Sequence, residues 1–180
     1  NKLEQQNKNK NASRVISQAP ERILDAPGLV DDYYLNLIDW SCENQLAVAL
    51  GNTVYIWNAD TGGISKLMEV EGEDNYVCSL GWTQDGGYLA IGTAHNDVQI
   101  WDVEASKKIR TMKGHLARVS SLAWNNHILT SGGRDAKVIN HDVRIQHHVV
   151  AVLNGHEQEV CGLKWSADGS ILATGGNDNL

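Results

Sequence analysis

Four tryptophans recur at a nearly constant interval, and that interval limits the folds open to this chain. Trp40, Trp82, Trp124 and Trp165 stand 42, 42 and 41 residues apart. Gly114-His115 and Gly155-His156 repeat at the same 41-residue step, each His nine residues ahead of its Trp. The stretch Trp82–Asp102, WTQDGGYLAIGTAHNDVQIWD, displays most of one period. An apolar strand ends at Trp82, and Asp85-Gly86-Gly87 turns the chain into a second apolar strand, Tyr88 to Gly92. A polar turn then leads to a third strand, Val98 to Trp101. Self-similarity at this period means one supersecondary unit per repeat, none able to bury its apolar face alone.

A period of ~40–45 residues with Gly-His early and Trp-Asp late is the WD-repeat signature, one four-stranded propeller blade per repeat. The fold class expected is therefore all-β, a WD-repeat β-propeller with about three and a half blades of a seven-blade ring. Residues 37–180 hold these blades, the fourth incomplete because no Trp-Asp strand follows the turn Gly176-Asn177-Asp178-Asn179. In the first blade, Leu46–Leu50 and Thr53–Trp57 flank Gly51-Asn52, which reads as a tight hairpin. Both runs are almost wholly apolar, so both faces are expected to be buried between neighbouring blades. A partial ring leaves apolar faces and an open strand edge. The chain thus reads as a fragment that aggregates or binds chaperones when expressed alone.

The first 13 residues are Asn-, Lys- and Gln-rich and are expected to be disordered. Residues 14–36 form a distinct pre-blade segment. It carries both prolines of the chain, Pro20 and Pro27, which rule out one long helix. Arg22 to Ala26 is expected as a short extended strand and Gly28 to Asp32 as a turn, with Tyr33 to Asp39 leading into the first blade.

A net charge of −7 with no basic stripe argues against nucleic acid as a partner. No apolar run approaches ~18 residues, so no membrane-spanning helix is expected. The polar N-terminus has no apolar signal region, which points to an intracellular protein and makes the Asn11-Ala12-Ser13 glycosylation triplet a coincidence. Cys42, Cys78 and Cys161 are an odd count without CxxC spacing, read as reduced, buried thiols. Glu69, Glu71, Glu73 and Asp74 read as a solvated acidic loop.

WD blades often carry a buried hydrogen-bonded tetrad: a His from the Gly-His loop, a Ser or Thr, an Asp in the next turn, and a Trp. Such a set is tolerated only when fully satisfied. In the third blade the repeat phase assigns His115, Ser131 and Asp135, with His141 at the Trp position. In the fourth it assigns His156, Thr174 and Asp178. The second blade has Glu73 at the His position and His95 at the Asp position, so its tetrad is absent, as is the first blade's. A Ser-His-Asp set also invites a hydrolase reading, but recurrence in phase with the blades favours a structural role. His141, His147 and His148 lack a Cys or carboxylate partner at useful spacing, so no metal and no cofactor are expected.

The pre-blade sequence PERILDAPGLVDDYYLNLIDW resembles the Fizzy family, the cell-division-cycle WD-repeat coactivators of the anaphase-promoting complex, a ubiquitin ligase. ARVSSLAWN (117–125), HDVR (141–144), HEQEVCGLKW (156–165) and GGNDNL (175–180) fit the same family. Arg22-Ile23-Leu24 and Asp32-Tyr33-Tyr34 resemble the mitotic member more than its Fizzy-related sibling. The resemblance implies a non-enzymatic adaptor, in cytoplasm and nucleus, that captures degrons on substrates such as cyclins and securin. It also implies partnership with subunits of the ligase and with spindle-checkpoint proteins. By the same resemblance, Asp25 faces the destruction-box Arg and Leu24 helps to pocket its Leu, while Asp32, Tyr33, Asn177 and Asn179 grip the Lys-Glu-Asn motif. On the residues alone, Asp25 also fits a turn-capping carboxylate, and Asn177 and Asn179 fit turn formers. A generic WD scaffold is the competing reading, and the sequence of residues 14 to 40 speaks against it.

Overall fold

The computed structural model describes Arg14 and residues 16–180, so the tail expected to be disordered and its glycosylation triplet lie outside the described residues. Among the described residues every regular element is a β-strand. Blade one is β1 (Ile38–Trp40), β2 (Gln45–Leu50), β3 (Thr53–Asn58) and β4 (Ile64–Glu69). Blade two is β5 (Val77–Trp82), β6 (Tyr88–Thr93), β7 (Asp97–Asp102) and β8 (Lys107–Lys113). Blade three is β9 (Val119–Asn125), β10 (Ile128–Gly133), β11 (Lys137–Asp142) and β12 (Val149–Asn154), and β13 (Val160–Trp165) pairs with β14 (Leu172–Gly176) as the start of blade four. Each sheet is an antiparallel meander in chain order. The Gly51-Asn52 hairpin forms as expected, pairing Leu50 with Thr53, and Gly51 takes the positive φ of 65° that glycine tolerates best.

The core lies between blades rather than within one. Ala47, Val54 and Met68 of blade one meet Val77, Leu80 and Leu89 of blade two, and a second cluster joins Val98 and Met112 to Val119 and Leu129. Blade two has a neighbour on each face, and all of β5 is buried. Blade one differs from expectation. In β2 only Ala47 and Ala49 are buried, because only one of its faces is covered by another blade.

The repeated tryptophans explain their own spacing. The Trp82 indole N–H donates to the Asp39 carbonyl at 3.1 Å and that of Trp124 to the Gly81 carbonyl at 2.9 Å, each reaching the preceding blade. Trp165 does the same through the Thr130 hydroxyl, at 3.1 Å. These three therefore stitch each blade to the one before it, whereas Trp40 of blade one donates to the Asn44 side chain of its own blade at 3.1 Å. Gly92 and Gly132 hold the equivalent place on the second strand of their blades. A Cβ at either would collide with a serine hydroxyl of its own blade and with Val119 or Val160 of the next.

The pre-blade segment departs from expectation in three places. Arg22 to Ala26 forms no strand, because an extended segment needs another backbone beside it and none among the described residues pairs with it. The turns fall at Ala26–Leu29 and Asp32–Leu35 rather than across Gly28 to Asp32. Asn36 first enters blade two, bridging Ser79 in parallel, before β1 joins blade one. Its side-chain amide donates to the carbonyls of Ser120 at 2.7 Å and Cys161 at 3.1 Å, so one residue touches blades two, three and four.

All three cysteines are free. Cys78 is buried, and burial pushes its thiol up to about 12. The expectation of buried thiols fails at the other two: Cys42 is exposed, in the turn between β1 and β2, and Cys161 is only half-buried in β13. Glu69, Glu71, Glu73 and Asp74 are all exposed, Glu69 at the end of β4 in an ion pair with Lys66.

Candidate functional site

The polar sets inside the blades are continuous. In blade three the Asp135 carboxylate accepts from His115 Nδ1 at 2.9 Å and from the Leu116 N–H at 2.8 Å. His115 Nε2 lies 2.8 Å from the Ser131 hydroxyl, which lies 2.8 Å from His141 Nε2. His141 Nδ1 lies 2.9 Å from His148 Nδ1. One direction satisfies every atom with neutral imidazoles. His115 donates to Asp135, Ser131 donates to His115, His141 donates to Ser131, and His148 donates to His141. Burial, with the neighbouring imidazoles and Arg110, pushes His141 down to about 3, as this arrangement requires. Burial raises the Asp135 carboxyl, but the Leu116 N–H and His115 outweigh it and hold the acid below its usual range.

Blade four repeats the pattern, with His156 2.9 Å from both the Asp178 carboxylate and the Thr174 hydroxyl. Blade two has Ile91 where the hydroxyl would stand, and the Trp101 indole donates instead to Gln99 at 3.1 Å. Ser131 is wholly buried between two imidazoles, so the set holds the blade together and offers no nucleophile to solvent.

A second network lies where the pre-blade segment crosses blades three and four. Asp32 Oδ1 accepts from the Tyr34 N–H at 2.9 Å, and Oδ2 accepts from Arg118 at 2.9 Å. The Tyr34 N–H first, then Arg118, hold this carboxyl below its ordinary range. Arg118 also forks onto Glu159 at 2.8 and 3.0 Å and reaches the Tyr76 hydroxyl at 3.3 Å. The Tyr34 hydroxyl donates to Asn177 Oδ1 at 2.6 Å, and the Asn177 amide donates to Gln158.

The structure therefore gathers Asp32 and Asn177 through Arg118, Glu159 and Tyr34. Tyr33 packs edge-on against Tyr34 with 5.5 Å between ring centroids and is 86% exposed, beside a shallow recess bordered by Gly162, Gly175 and Leu180. Asn177 and the exposed Asn179 flank Asp178, so the blade-four set that fixes Asp178 also fixes the turn presenting both amides. Asn179 takes φ 65°, a conformation Asn tolerates.

Leu24 and Asp25 are exposed, and among the described residues no hydrogen bond or ion pair joins either to the Asp32–Asn177 set. Their neighbour Arg22 stacks over Trp57 of blade one, 5.8 Å from the ring centroid.

Sequence reading missed Arg118, Glu159, Tyr34, Gln158 and Asn36. A signal for two of them was present. Arg118 and Glu159 each stand three residues after a repeat His, at one phase of adjacent blades. Opposite charges at one phase of neighbouring repeats are placed to meet.

Residues 24–180 match the family model described as the CDC20/Fizzy WD40 domain. The chain belongs to this family. It is 59% identical over 167 residues to the anaphase-promoting complex subunit cdc20 of Dictyostelium discoideum, covering 93% of this chain and 34% of that protein. It is 53% identical to the WD repeat-containing protein slp1 of Schizosaccharomyces pombe, covering 94% and 34%, and 54% identical to FIZZY-RELATED 1 of Arabidopsis thaliana, covering 92% and 35%. A crystal structure of the mitotic checkpoint complex contains a chain that superposes with a TM-score of 0.88 at 51% identity, covering 93% of this chain and 55% of that one. The chain thus spans about a third of the length of the curated relatives it matches. Members named for either branch of the CDC20/Fizzy family align at similar identity, so overall likeness does not separate the two.

Proposed function

We propose that this chain is a substrate-recognition part of a mitotic coactivator of the anaphase-promoting complex, a ubiquitin ligase. It works by binding rather than catalysis, in cytoplasm and nucleus, where its three free thiols stay reduced. Its substrates carry destruction-box and Lys-Glu-Asn degrons, as on cyclins and securin, and its other partners are ligase subunits and spindle-checkpoint proteins. The observation that carries the reading is the assembly of Asp32, Tyr33 and the Asn177 turn on one side of a CDC20/Fizzy propeller.

The chemistry suits short charged peptides. Asp32 keeps acceptor capacity for a lysine ammonium beside an exposed tyrosine ring, and Asn177 and Asn179 offer amides to Glu and Asn side chains. Asp25 stands exposed and outside any ion pair among the described residues, free to meet an arginine guanidinium, with Leu24 beside it for an apolar neighbour. Bonds to charged groups contribute roughly 1.5–3 kcal/mol and exposed ion pairs about 0–1, so a few such contacts give micromolar capture, about 8 kcal/mol. Two motifs on one substrate then supply the discrimination.

The test is fluorescence polarisation of labelled degron peptides with the full chain. Asp25→Ala is expected to weaken the destruction-box peptide and to spare the Lys-Glu-Asn peptide. Equal affinities before and after would remove the Asp25 assignment. No binding of either peptide by the wild type would favour a generic propeller scaffold.

A further inference from the structure

We propose that Arg118 is the positioning residue of the Lys-Glu-Asn surface, clamping the pre-blade segment to blades three and four so that Asp32 and Tyr34 are held in place to present a carboxylate beside the Asn177 turn. The proposal rests on the degron reading above for its ligand and on geometry for the clamp.

Arg118 comes from blade three, yet its partners come from three other places. Nε and one terminal nitrogen fork onto Glu159 of blade four; the other terminal nitrogen holds Asp32 of the pre-blade segment and the Tyr76 hydroxyl ahead of β5. Four donors of one planar group thus serve three segments, a task a lysine ammonium cannot copy. The side chains of Arg118 and Glu159 are only 12% and 7% exposed, while Asp32 is 27% exposed. Arg118 is spent on its two carboxylates, Arg134 adds only a longer-range attraction at Asp32, and the carboxylate that solvent or a ligand can reach is Asp32.

The clamp also aims Tyr34. The guanidinium carbon lies 5.9 Å from the Tyr34 ring centroid, and the Tyr34 N–H is tied to the carboxylate that Arg118 holds. These two contacts set the direction of the hydroxyl that meets Asn177. Without Arg118, Asp32 and Glu159 would face each other unneutralised, which drives the pre-blade segment off blade four. Arg118 itself touches no degron; it acts through Asp32 and Tyr34.

The experiment uses Arg118→Lys, which keeps a charge opposite buried Glu159 and so protects the fold, with Asp32→Asn alone and combined. Hydrogen exchange reads the clamp at the Tyr34 and Leu35 amides, both donated to Asp32, with the amides of β9 as reference. Arg118→Lys is expected to speed exchange at Tyr34 and Leu35 while β9 stays protected. It should weaken a Lys-Glu-Asn peptide about tenfold, as expected for a lost charge-assisted bond. A destruction-box peptide should bind as before, and in the Asp32→Asn background the added Arg118→Lys should cost less than it does alone, only the part carried by its contact with Tyr34 remaining. Unchanged exchange, equal weakening of both peptides, or multiplying losses in the double variant would each overturn the proposal. If the wild type binds no Lys-Glu-Asn peptide, the degron reading falls, and faster or unchanged exchange at Tyr34 and Leu35 alone upholds or overturns the clamp.

Discussion

The Tyr34 hydroxyl donates to the Asn177 side-chain oxygen at 2.6 Å, joining residues 143 positions apart in the chain. This bond ties the segment before the propeller to the turn after β14. It also leaves the Asn177 amide pointing at Gln158, so the orientation of that amide is set from both ends.

Tyr34→Phe removes the hydroxyl and keeps the ring, including its place beside Arg118 and Tyr33. The Asn177 oxygen then turns to water, and the amide loses one of its two anchors. A Lys-Glu-Asn peptide should bind about threefold more weakly, as fits a neutral hydrogen bond at a partly wet site. Titration by fluorescence polarisation checks this, and a destruction-box peptide should be unaffected.

Acid should loosen blade three before its carboxylates titrate. His141 is held near 3 in the fold by burial, against about 6.5 in an unfolded chain. Its folded value is depressed, so the unfolded state binds the extra proton and the stabilisation is complete only above pH 6.5. Stability then falls as pH drops from about 6.5 towards 3, by up to about 1.4 kcal/mol per pH unit for one proton. His148, also depressed by burial and by Arg110, adds in the same direction. Urea midpoints measured from pH 7.5 to 4.5 should fall more steeply for the wild type than for His141→Gln, whose amide can still donate to Ser131.

The propeller was legible because its determinants are local and periodic. A Trp that ends an inner strand must both pack and find an acceptor for its N–H, and the preceding blade supplies one to Trp82, Trp124 and Trp165. His115, Ser131 and Asp135 were legible for the same reason, since phase alone puts them within reach of one another. What escaped depends on partners remote in sequence. Arg22 to Ala26 has strand-like residues but no backbone paired beside it among the described residues. Asn36 sits between two leucines on the way into a strand, and nothing local says that its amide serves blades three and four. Asp32 was singled out by resemblance, but its engagement by Arg118 was not, because an ion pair spanning 86 residues leaves no periodic trace beyond the Arg118 and Glu159 phase. Cys42 was misjudged because exposure follows from its turn and not from its residue type.

Gly132→Ala should destabilise the chain well beyond what an added methyl costs on an open surface. A Cβ there would stand 2.7 Å from Val160 Cγ1 and closer still to the Ser121 hydroxyl, at the seam where blade three meets β13. Neither neighbour can retreat freely. Ser121 donates to the Val160 carbonyl at 3.0 Å, and Val160 is fully buried. Moving them opens the seam between blades, so the expected loss is about 1–3 kcal/mol, the range for overpacked cores. Gly155→Ala is the matched comparison, since a Cβ there meets nothing within 4 Å and should change stability little. Urea denaturation of both variants decides the matter. Equal midpoints would mean that the seam yields without cost and that the glycine at this phase is not required by close approach of the blades.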